Sequence, residues 1–152
     1  MKVLFLCTGN SCRSQMAEGW ARKLHPDLIE AYSAGTNPGI VDPRAIKVMA
    51  EAGVDISTHR AKHVSEFKDI AFDLVVTVCD KAMPVPHKGN AHQAAKARES
   101  CPVWFGKARK LHQSFEDPPF LAKAAKNEEE ALAYYRRVRD EIKEFVSGLV
   151  KY

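Results

Sequence analysis

The sequence predicts an α/β domain: a doubly wound parallel sheet of about four strands flanked by helices. Strand-like apolar runs alternate along the chain with segments of helical period, which is typical of this class. The first run, residues 3–6, is apolar at every position, as expected for a parallel strand that is covered on both faces. The 152 residues, 45% apolar and 28% charged, fit one folded domain over residues 1–152 and exclude intrinsic disorder.

The predicted strands are short apolar or β-branched runs bounded by turn residues. The clearest is the third, which leads directly into Cys79. Right-handed crossovers place the third strand beside the first, so Cys7 and Cys79, at the carboxyl ends of these strands, should face one crevice. The four predicted strands cover residues 2–7, 28–33, 74–78 and 110–114.

The predicted helices carry apolar residues at steps of three and four. The first starts near Ser14 and stops before Pro26. The second starts at Asp42 and Pro43 and ends at Gly53, and the last runs from near residue 127 to about 149, with three glutamates in its first turn. The predicted core positions are Ile46, Met49 and Ala50 in the second helix, and Leu132, Tyr135, Val138, Ile142, Phe145 and Leu149 in the last.

The composition argues against two classes of partner. Lys and Arg number 23 against 19 Asp and Glu, and the net charge of +4 is too small to predict nucleic-acid binding, although it would not repel an anionic substrate. No apolar run reaches the length of a membrane span or a signal peptide. We expect a cytoplasmic protein that binds neither nucleic acid nor membranes, and we expect a monomer.

The four cysteines, at positions 7, 12, 79 and 101, carry most of the functional information. Disulfide frameworks are rare in a reducing cytoplasm, so an even number of cysteines does not predict one here. Catalytic, redox-active, metal-binding or buried thiols are the expected alternatives.

Residues 7–14 form a C-x5-R loop between the first strand and the first helix, and their composition suits the binding of an oxyanion. Gly9 and Asn10 tolerate the dihedral angles that turn successive backbone N–H groups inward. The helix N-terminus adds positive potential, and Arg13 adds a bidentate guanidinium. This field favours ionisation of Cys7, the candidate nucleophile, to which Ser14 can donate a hydrogen bond. The predicted substrate-binding residues are Thr8, Gly9, Asn10, Ser11, Cys12 and Arg13, of which Cys12 has no assigned role beyond packing.

This loop, continued to residue 20, resembles that of the arsenate reductases built on the low-molecular-weight tyrosine phosphatase fold. The resemblance covers nearly the whole chain, and the cysteines beyond the loop favour a reductase over a phosphatase. The other matching segments are Ser33-Ala34-Gly35, Val76-Thr77-Val78-Cys79-Asp80, Cys101-Pro102-Val103, Asp117-Pro118 and Val138-Arg139-Asp140-Glu141-Ile142.

The resemblance implies that arsenate is reduced to arsenite by a relay of thiols. Cys7 attacks arsenic while Asp117, as general acid, protonates the departing oxygen. Cys79 then resolves the adduct on Cys7, and Cys101 resolves Cys79. An external dithiol completes the cycle: thioredoxin is the implied reductant, with glutathione and glutaredoxin as the alternative, and no bound cofactor is expected.

One segment departs from the family pattern. Twenty-one residues separate Cys79 from Cys101, whereas the family places these two cysteines much closer together. Loop entropy does not forbid their exchange, because a roughly threefold longer loop costs only about 1 kcal/mol.

Two other classes of function stay open at this point. A phosphatase would use Cys7, Arg13 and Asp117 but would need neither Cys79 nor Cys101. A thiol or zinc sensor could use a Cys2His2 set, but its spacing lacks the short knuckle of strong zinc motifs, and we expect no metal. That set comprises Cys79, His87, His92 and Cys101, while His25, His59, His63 and His112 are expected to be solvated or packing residues.

The last expectation concerns a cation site beside the loop. Some thioredoxin-linked members of the family bind potassium beside the loop, and Asn10, Glu18 and Ser33 match that pattern. The stretch after His59 reads Arg60-Ala61-Lys62, which puts cations where oxygen ligands would be needed. We therefore expect a lysine ammonium near Asn10 in place of the metal, and no potassium requirement.

Overall fold

A computed structural model describes residues 1–79 and 107–151 of the chain. In these residues, four parallel strands form one sheet with the order β2-β1-β3-β4, so the first strand is central and the third lies beside it. The predicted α/β class and the predicted neighbours of the first strand are confirmed. The strands are β1 (Lys2–Cys7), β2 (Glu30–Gly35), β3 (Leu74–Thr77) and β4 (Arg109–His112).

Two of the helices in the described residues begin at a polar side chain that caps them. Asp42 caps the second helix by accepting from the backbone N–H of Arg44 at 2.9 Å, and Asn127 caps the last by accepting from that of Glu130 at 2.8 Å. The helices are α1 (Arg13–Leu24), α2 (Pro43–Glu51), α3 (Pro118–Ala122) and α4 (Glu128–Ser147), with 3₁₀ turns at Val64–Phe67 and Leu149–Lys151.

Both faces of the sheet are covered, as the unbroken apolar pattern of the first strand predicts. The larger core packs alternate residues of β1 against α1, α2 and α4, whereas a smaller cluster on the other side surrounds Leu4 and Leu6. Tyr32, Phe67 and Phe72 close that smaller cluster with edge-to-face contacts. Because packed side chains cover both sides of β1, the loop after β1 extends from a strand that is buried on both faces.

Some predicted boundaries and core positions are wrong. The strand β2 starts two residues later than predicted and reaches Gly35, because it pairs residue by residue with all of β1. In α2, Ala45, Val48 and Met49 are buried, while Ile46 is half-buried and Ala50 is exposed. This helix packs on α4 with a face rotated from the predicted stripe. In α4, Phe145 is half-buried and Val146 is buried in its place.

Within residues 1–79 and 107–151, the longest helix is too polar to cross a membrane, and none of the others is long enough and apolar enough to do so.

Candidate active site

The C-x5-R loop joins the carboxyl end of β1 to the N-terminus of α1, as predicted. Cys7 ends the strand and is almost fully buried, and Cys12 precedes the first residue of the helix. Asn10 has a φ angle of +47°, whereas Gly9 does not lie in the left-handed region, so asparagine alone supplies the unusual dihedral that both residues were expected to provide. Asparagine tolerates this region because its side chain can hydrogen-bond locally.

Asn10 is held in this conformation by three residues from two other segments of the chain. Its side-chain Nδ2 donates to Ser14 Oγ at 2.8 Å, and its Oδ1 accepts from the backbone N–H of Lys62 at 2.9 Å. Gln15 Nε2 donates to both Asn10 O and Asn10 Oδ1, at 3.0 and 2.9 Å. The Ser14 hydroxyl therefore accepts from Asn10 and keeps its own proton to donate, which is the property that the expected contact with Cys7 requires.

Gly35, at the end of β2, is a site residue that the sequence analysis gave no role. A Cβ atom at this position would lie 2.4 Å from Thr8 O, 2.9 Å from Cys7 O and 3.0 Å from Asn10 N. These are backbone atoms of the loop, which cannot yield without moving the loop. The close approach therefore demands glycine, and the turn residues around it gave no signal of this contact.

Arg13 and Asp117 come together although more than one hundred residues separate them. Arg13 Nη1 donates to the carbonyl of Phe115 at 2.9 Å, and Arg13 Nη2 lies 3.7 Å from Asp117 Oδ1. Asp117 stands at the N-cap position of α3, yet its side chain makes no capping hydrogen bond. The carboxylate is therefore placed beside the guanidinium of the loop and not used to start the helix.

Cys12 lies among the charged groups of the site. Burial raises the pKa of the Cys12 thiol well above its ordinary value, and the nearby charges of Asp42, Asp117 and Cys7 raise it further, against a smaller opposing effect of Arg13. A thiol in this state stays neutral and is a poor nucleophile at neutral pH. The structure thus agrees with the packing role expected for Cys12.

Cys79 follows β3 at the same edge of the sheet at which Cys7 ends β1. The backbone N–H of Val78 donates to the carbonyl of Leu6 at 3.0 Å, so the residues after these two lie at the carboxyl ends of hydrogen-bonded neighbours. Cys79 is buried and disulfide-bonded, whereas Cys7 and Cys12 are free thiols. Cys101 lies outside the described residues.

Behind the loop, a buried carboxylate contacts one histidine and two cationic side chains. Glu18, only 3% exposed, has Oε2 at 3.1 Å from His59 Nδ1 and Oε1 at 3.2 Å from Arg22 Nη2 and 4.0 Å from Lys62 Nζ. Burial alone raises the pKa of this carboxyl, but the His59 hydrogen bond and the charges of Lys62, His59 and Arg22 outweigh it and lower the pKa below its ordinary value.

The Lys62 ammonium lies beside Glu18 and Ser33, and the backbone N–H of Lys62 contacts Asn10. The ammonium donates to the carbonyl of Arg60 at 3.0 Å and to Ser33 Oγ at 3.5 Å, beside the Glu18 carboxylate. His59 belongs to the same cluster: its Nδ1 is also 3.0 Å from Gln15 Oε1, which ties the cluster to Asn10. Gln15 is fully buried although it lies on the polar face of α1, opposite the apolar stripe, so no pattern in the sequence signals its role.

Among the described residues there is no group of three or more His, Cys, Asp or Glu side chains that could hold a metal ion. Of the four residues in the alternative zinc set, only Cys79 falls in this part of the chain. His87 and His92, like Cys101, lie outside it.

Comparison with known proteins identifies the same architecture and chemistry. The family described as low molecular weight phosphotyrosine protein phosphatase matches residues 2–152. An arsenate reductase of Halalkalibacterium halodurans is 42% identical over 92% of this chain and 88% of its own length. The crystal structure of an arsenate reductase from Archaeoglobus fulgidus is 30% identical, with a TM-score of 0.71 over 99% of both chains. An arsenate reductase in the phosphate binding state is 31% identical, with a TM-score of 0.70 over 99% of this chain and 96% of its own.

Proposed function

Because the chain belongs to the low-molecular-weight phosphotyrosine protein phosphatase family and its relatives are arsenate reductases, we propose that it reduces arsenate to arsenite, with Cys7 as the nucleophile. Arg13 and Asp117 meet at the loop that Cys7 begins, and the observation that favours a reductase over a phosphatase is Cys79, which follows β3 beside the end of β1. This arrangement offers an anion-binding guanidinium, a proton donor and a thiol at the carboxyl end of the sheet.

In the first half of the reaction, Arg13 and the backbone N–H groups of the loop hold arsenate as an anion. The Cys7 thiolate forms a bond to arsenic, and one oxygen departs as water after taking a proton from Asp117. Arg13 Nη2 and Asp117 Oδ1 are 3.7 Å apart, so the acid stands close to the group that would bind the oxyanion. Ser14 would donate its hydroxyl proton to the thiolate.

In the second half, two electrons come from thiols. The Cys79 thiolate forms a bond to Cys7 Sγ, and the bond between that sulfur and arsenic breaks with its electron pair on arsenic, which leaves as arsenite. Cys101 then attacks Cys79 and frees Cys7. Two features support this order: β1 and β3 are neighbours, and Cys79 is disulfide-bonded while both loop cysteines are free thiols.

The external reductant must be a dithiol or a pair of thiols, because the cycle ends with a disulfide. We propose thioredoxin, since a chain that carries its own two resolving cysteines can present a disulfide away from the crevice. Glutathione with glutaredoxin is the alternative, and it would apply if Cys101 takes no part.

We also propose that activity needs no potassium. The residues present do not fit such an ion, since the Lys62 ammonium lies between Glu18 Oε1, Ser33 Oγ and the carbonyl of Arg60. A second cation among these groups would be repelled by the first.

Single-turnover chemistry with peptide mapping under non-reducing conditions tests the relay. Cys7→Ser should abolish arsenate reduction, because a serine hydroxyl is hardly ionised at neutral pH. Cys79→Ser should block turnover yet retain hydrolysis of p-nitrophenyl phosphate, which needs only Cys7, Arg13 and Asp117. Cys101→Ser should complete one turnover and stop as a disulfide between Cys7 and Cys79.

Three outcomes would contradict the proposal. A Cys7→Ser variant with a tenth of normal turnover would exclude Cys7 as the nucleophile. Equal loss of both activities in a folded Cys79→Ser variant would make Cys79 structural. If the Cys101→Ser variant turns over at the wild-type rate with glutathione and glutaredoxin, these would be the electron donor instead of thioredoxin.

A further inference from the structure

Tyr135, expected from its spacing to be a simple core residue, carries a polar contact at the edge of the loop. Its side chain is 1% exposed, and its hydroxyl donates to Asp42 Oδ2 at 2.5 Å. Asp42 Oδ1 accepts from the backbone N–H of Arg44, and the backbone N–H of Asp42 donates to the carbonyl of Ser11 at 2.8 Å. A chain of hydrogen bonds therefore runs from α4 through Asp42 to the middle of the loop.

The position of Asp42 creates an electrostatic conflict. A carboxylate beside an anion-binding loop repels both a bound oxyanion and a thiolate. Its field reaches the loop, because after burial Asp42 is the next largest cause of the raised pKa of Cys12. Arg44 directs Nε and Nη2 to Glu128, at 3.0 and 2.9 Å, and its guanidinium lies 6.0 Å from the centre of the Tyr135 ring.

The Tyr135 hydroxyl reduces this repulsion. The buried hydroxyl donates to Asp42 Oδ2 and holds that oxygen toward α4, while the backbone N–H of Arg44, at the N-terminus of α2, donates to Asp42 Oδ1. Donors on both oxygens draw charge density away from the loop and prevent the carboxylate from turning toward Cys12.

We propose that Tyr135 is a positioning residue for the oxyanion loop: its hydroxyl holds the Asp42 carboxylate against α4 and so limits the repulsion of an oxyanion bound by residues 7–14. The inference rests on the proposed function in one respect, namely that this loop is where arsenate binds. Tyr135 acts through Asp42 and makes no contact with substrate in this scheme.

Inorganic phosphate is the probe for the test, and its protection of Cys7 from iodoacetamide gives a dissociation constant. Tyr135→Phe should weaken phosphate binding by about threefold to tenfold and move the midpoint pH of Cys7 alkylation upward, because the released carboxylate repels both anions. The charged or titratable groups around Cys12 that contribute to this profile are Asp42, Asp117, Cys7 and Arg13, with Tyr135 and Arg44 behind Asp42.

Removal of the Asp42 charge provides the decisive comparison. In an Asp42→Asn background, where asparagine can still cap α2, Tyr135→Phe should change neither phosphate binding nor the alkylation profile. Asp42→Asn alone should bind phosphate at least as tightly as the wild type, which keeps the inference testable even if Tyr135→Phe folds poorly. Tyr134→Phe, on the neighbouring half-buried residue of the same helix, is the matched control and should behave as wild type.

Phosphate binding of Tyr135→Phe within twofold of wild type would overturn the inference. The same loss of binding in the Asp42→Asn background would also overturn it, because Tyr135 would then act through packing. If phosphate fails to protect Cys7 even in the wild-type protein, the loop assignment itself fails and this inference falls with it, so the two failures can be told apart.

Discussion

Two groups of opposite charges flank the loop, one in front and one behind, and they differ in burial and in contact distance. In front, Arg13 and Asp117 are 3.7 Å apart, and the side chain of Asp117 is 33% exposed. Behind, Glu18 is 3% exposed and contacts His59 and Arg22 at 3.1 and 3.2 Å. The same kinds of side chain therefore serve two purposes.

The difference follows from solvent access. A carboxylate at the mouth of the site can exchange protons with a substrate, and the Phe115 carbonyl holds the Arg13 guanidinium beside that carboxylate. A buried carboxylate held by two cations and a histidine has no such freedom, and removing the carboxylate leaves its partners without a counter-charge in a medium of low polarity. Changes in front should therefore affect catalysis, and changes behind should affect stability.

Arg13→Lys should give the largest effect and should act on catalysis alone. Lysine keeps the charge but loses the fork that binds two oxygens, so kcat/KM for arsenate should fall by about 10²–10³-fold, or about 3–4 kcal/mol. Steady-state assays measure this, and Arg60→Lys, on an exposed arginine paired with Glu66, is the control. A drop of less than threefold would remove Arg13 from the site.

Glu18→Gln should give the next largest effect, and on stability. The change strands Lys62 and His59, and the free energy of unfolding at pH 7 should fall by about 3 kcal/mol in urea denaturation. Glu66→Gln, the same change in an exposed ion pair, should cost less than about 1 kcal/mol. Equal effects of the two changes would contradict the contrast between front and rear.

The contribution of Glu18 should also depend on pH in a definite direction. The pKa of Glu18 is lower in the folded protein than its ordinary value of 4.5, so its stabilisation is complete above that value. As the pH falls below 4.5 and through the folded pKa, the carboxyl becomes protonated and this stabilisation is lost. The difference in stability between wild type and Glu18→Gln should therefore narrow below pH 4.5.

Asp117→Asn should give a smaller effect, again on catalysis. Loss of the proton donor should lower kcat for arsenate by about a hundredfold, while asparagine at the N-cap of α3 should leave the thermal midpoint nearly unchanged. Glu116→Gln is the control, because the adjacent carboxylate pairs with the exposed Arg137. A wild-type pH profile with unchanged kcat in Asp117→Asn would exclude the general-acid role.

Lys62→Met should give the smallest effect and sharpen the contrast at the rear. Glu18 keeps His59 and Arg22, so we expect a loss of about 1–2 kcal/mol. Potassium should partly restore the stability of this variant relative to choline at equal ionic strength, whereas the wild type should show no such difference. Specific stabilisation of the wild type by potassium would contradict the proposal that Lys62 replaces the ion.

The fold followed from local patterns and chirality. The unbroken apolar run of β1, the capping residues Asp42 and Asn127 and the right-handed crossover rule together gave the elements and placed Cys79 beside Cys7. The errors were of one kind: the ends of β2 and the buried face of α2 depend on the register with β1 and on the position of α4. No local signal encodes these.

The site divides in the same way. The loop from Cys7 to Ser14 could be interpreted from its own residues, because a nucleophile, a turn and a guanidinium in one short segment have a common chemical purpose. The roles of Gly35 and Gln15 could not, since each depends on how closely another segment approaches Asn10.

The sequence by itself determined the type of fold, the position of the loop at the end of the central strand and the candidate nucleophile that begins the loop. Only the tertiary structure decided which distant side chains face that loop. The residue whose carbonyl accepts from Arg13 is 102 residues away in the sequence, and Lys62, whose backbone N–H donates to Asn10, is 52 residues from it. The physical reason is one of range: propensity, capping and handedness act over a few residues, whereas the field and the hydrogen bonds at a site depend on the packing of the whole chain.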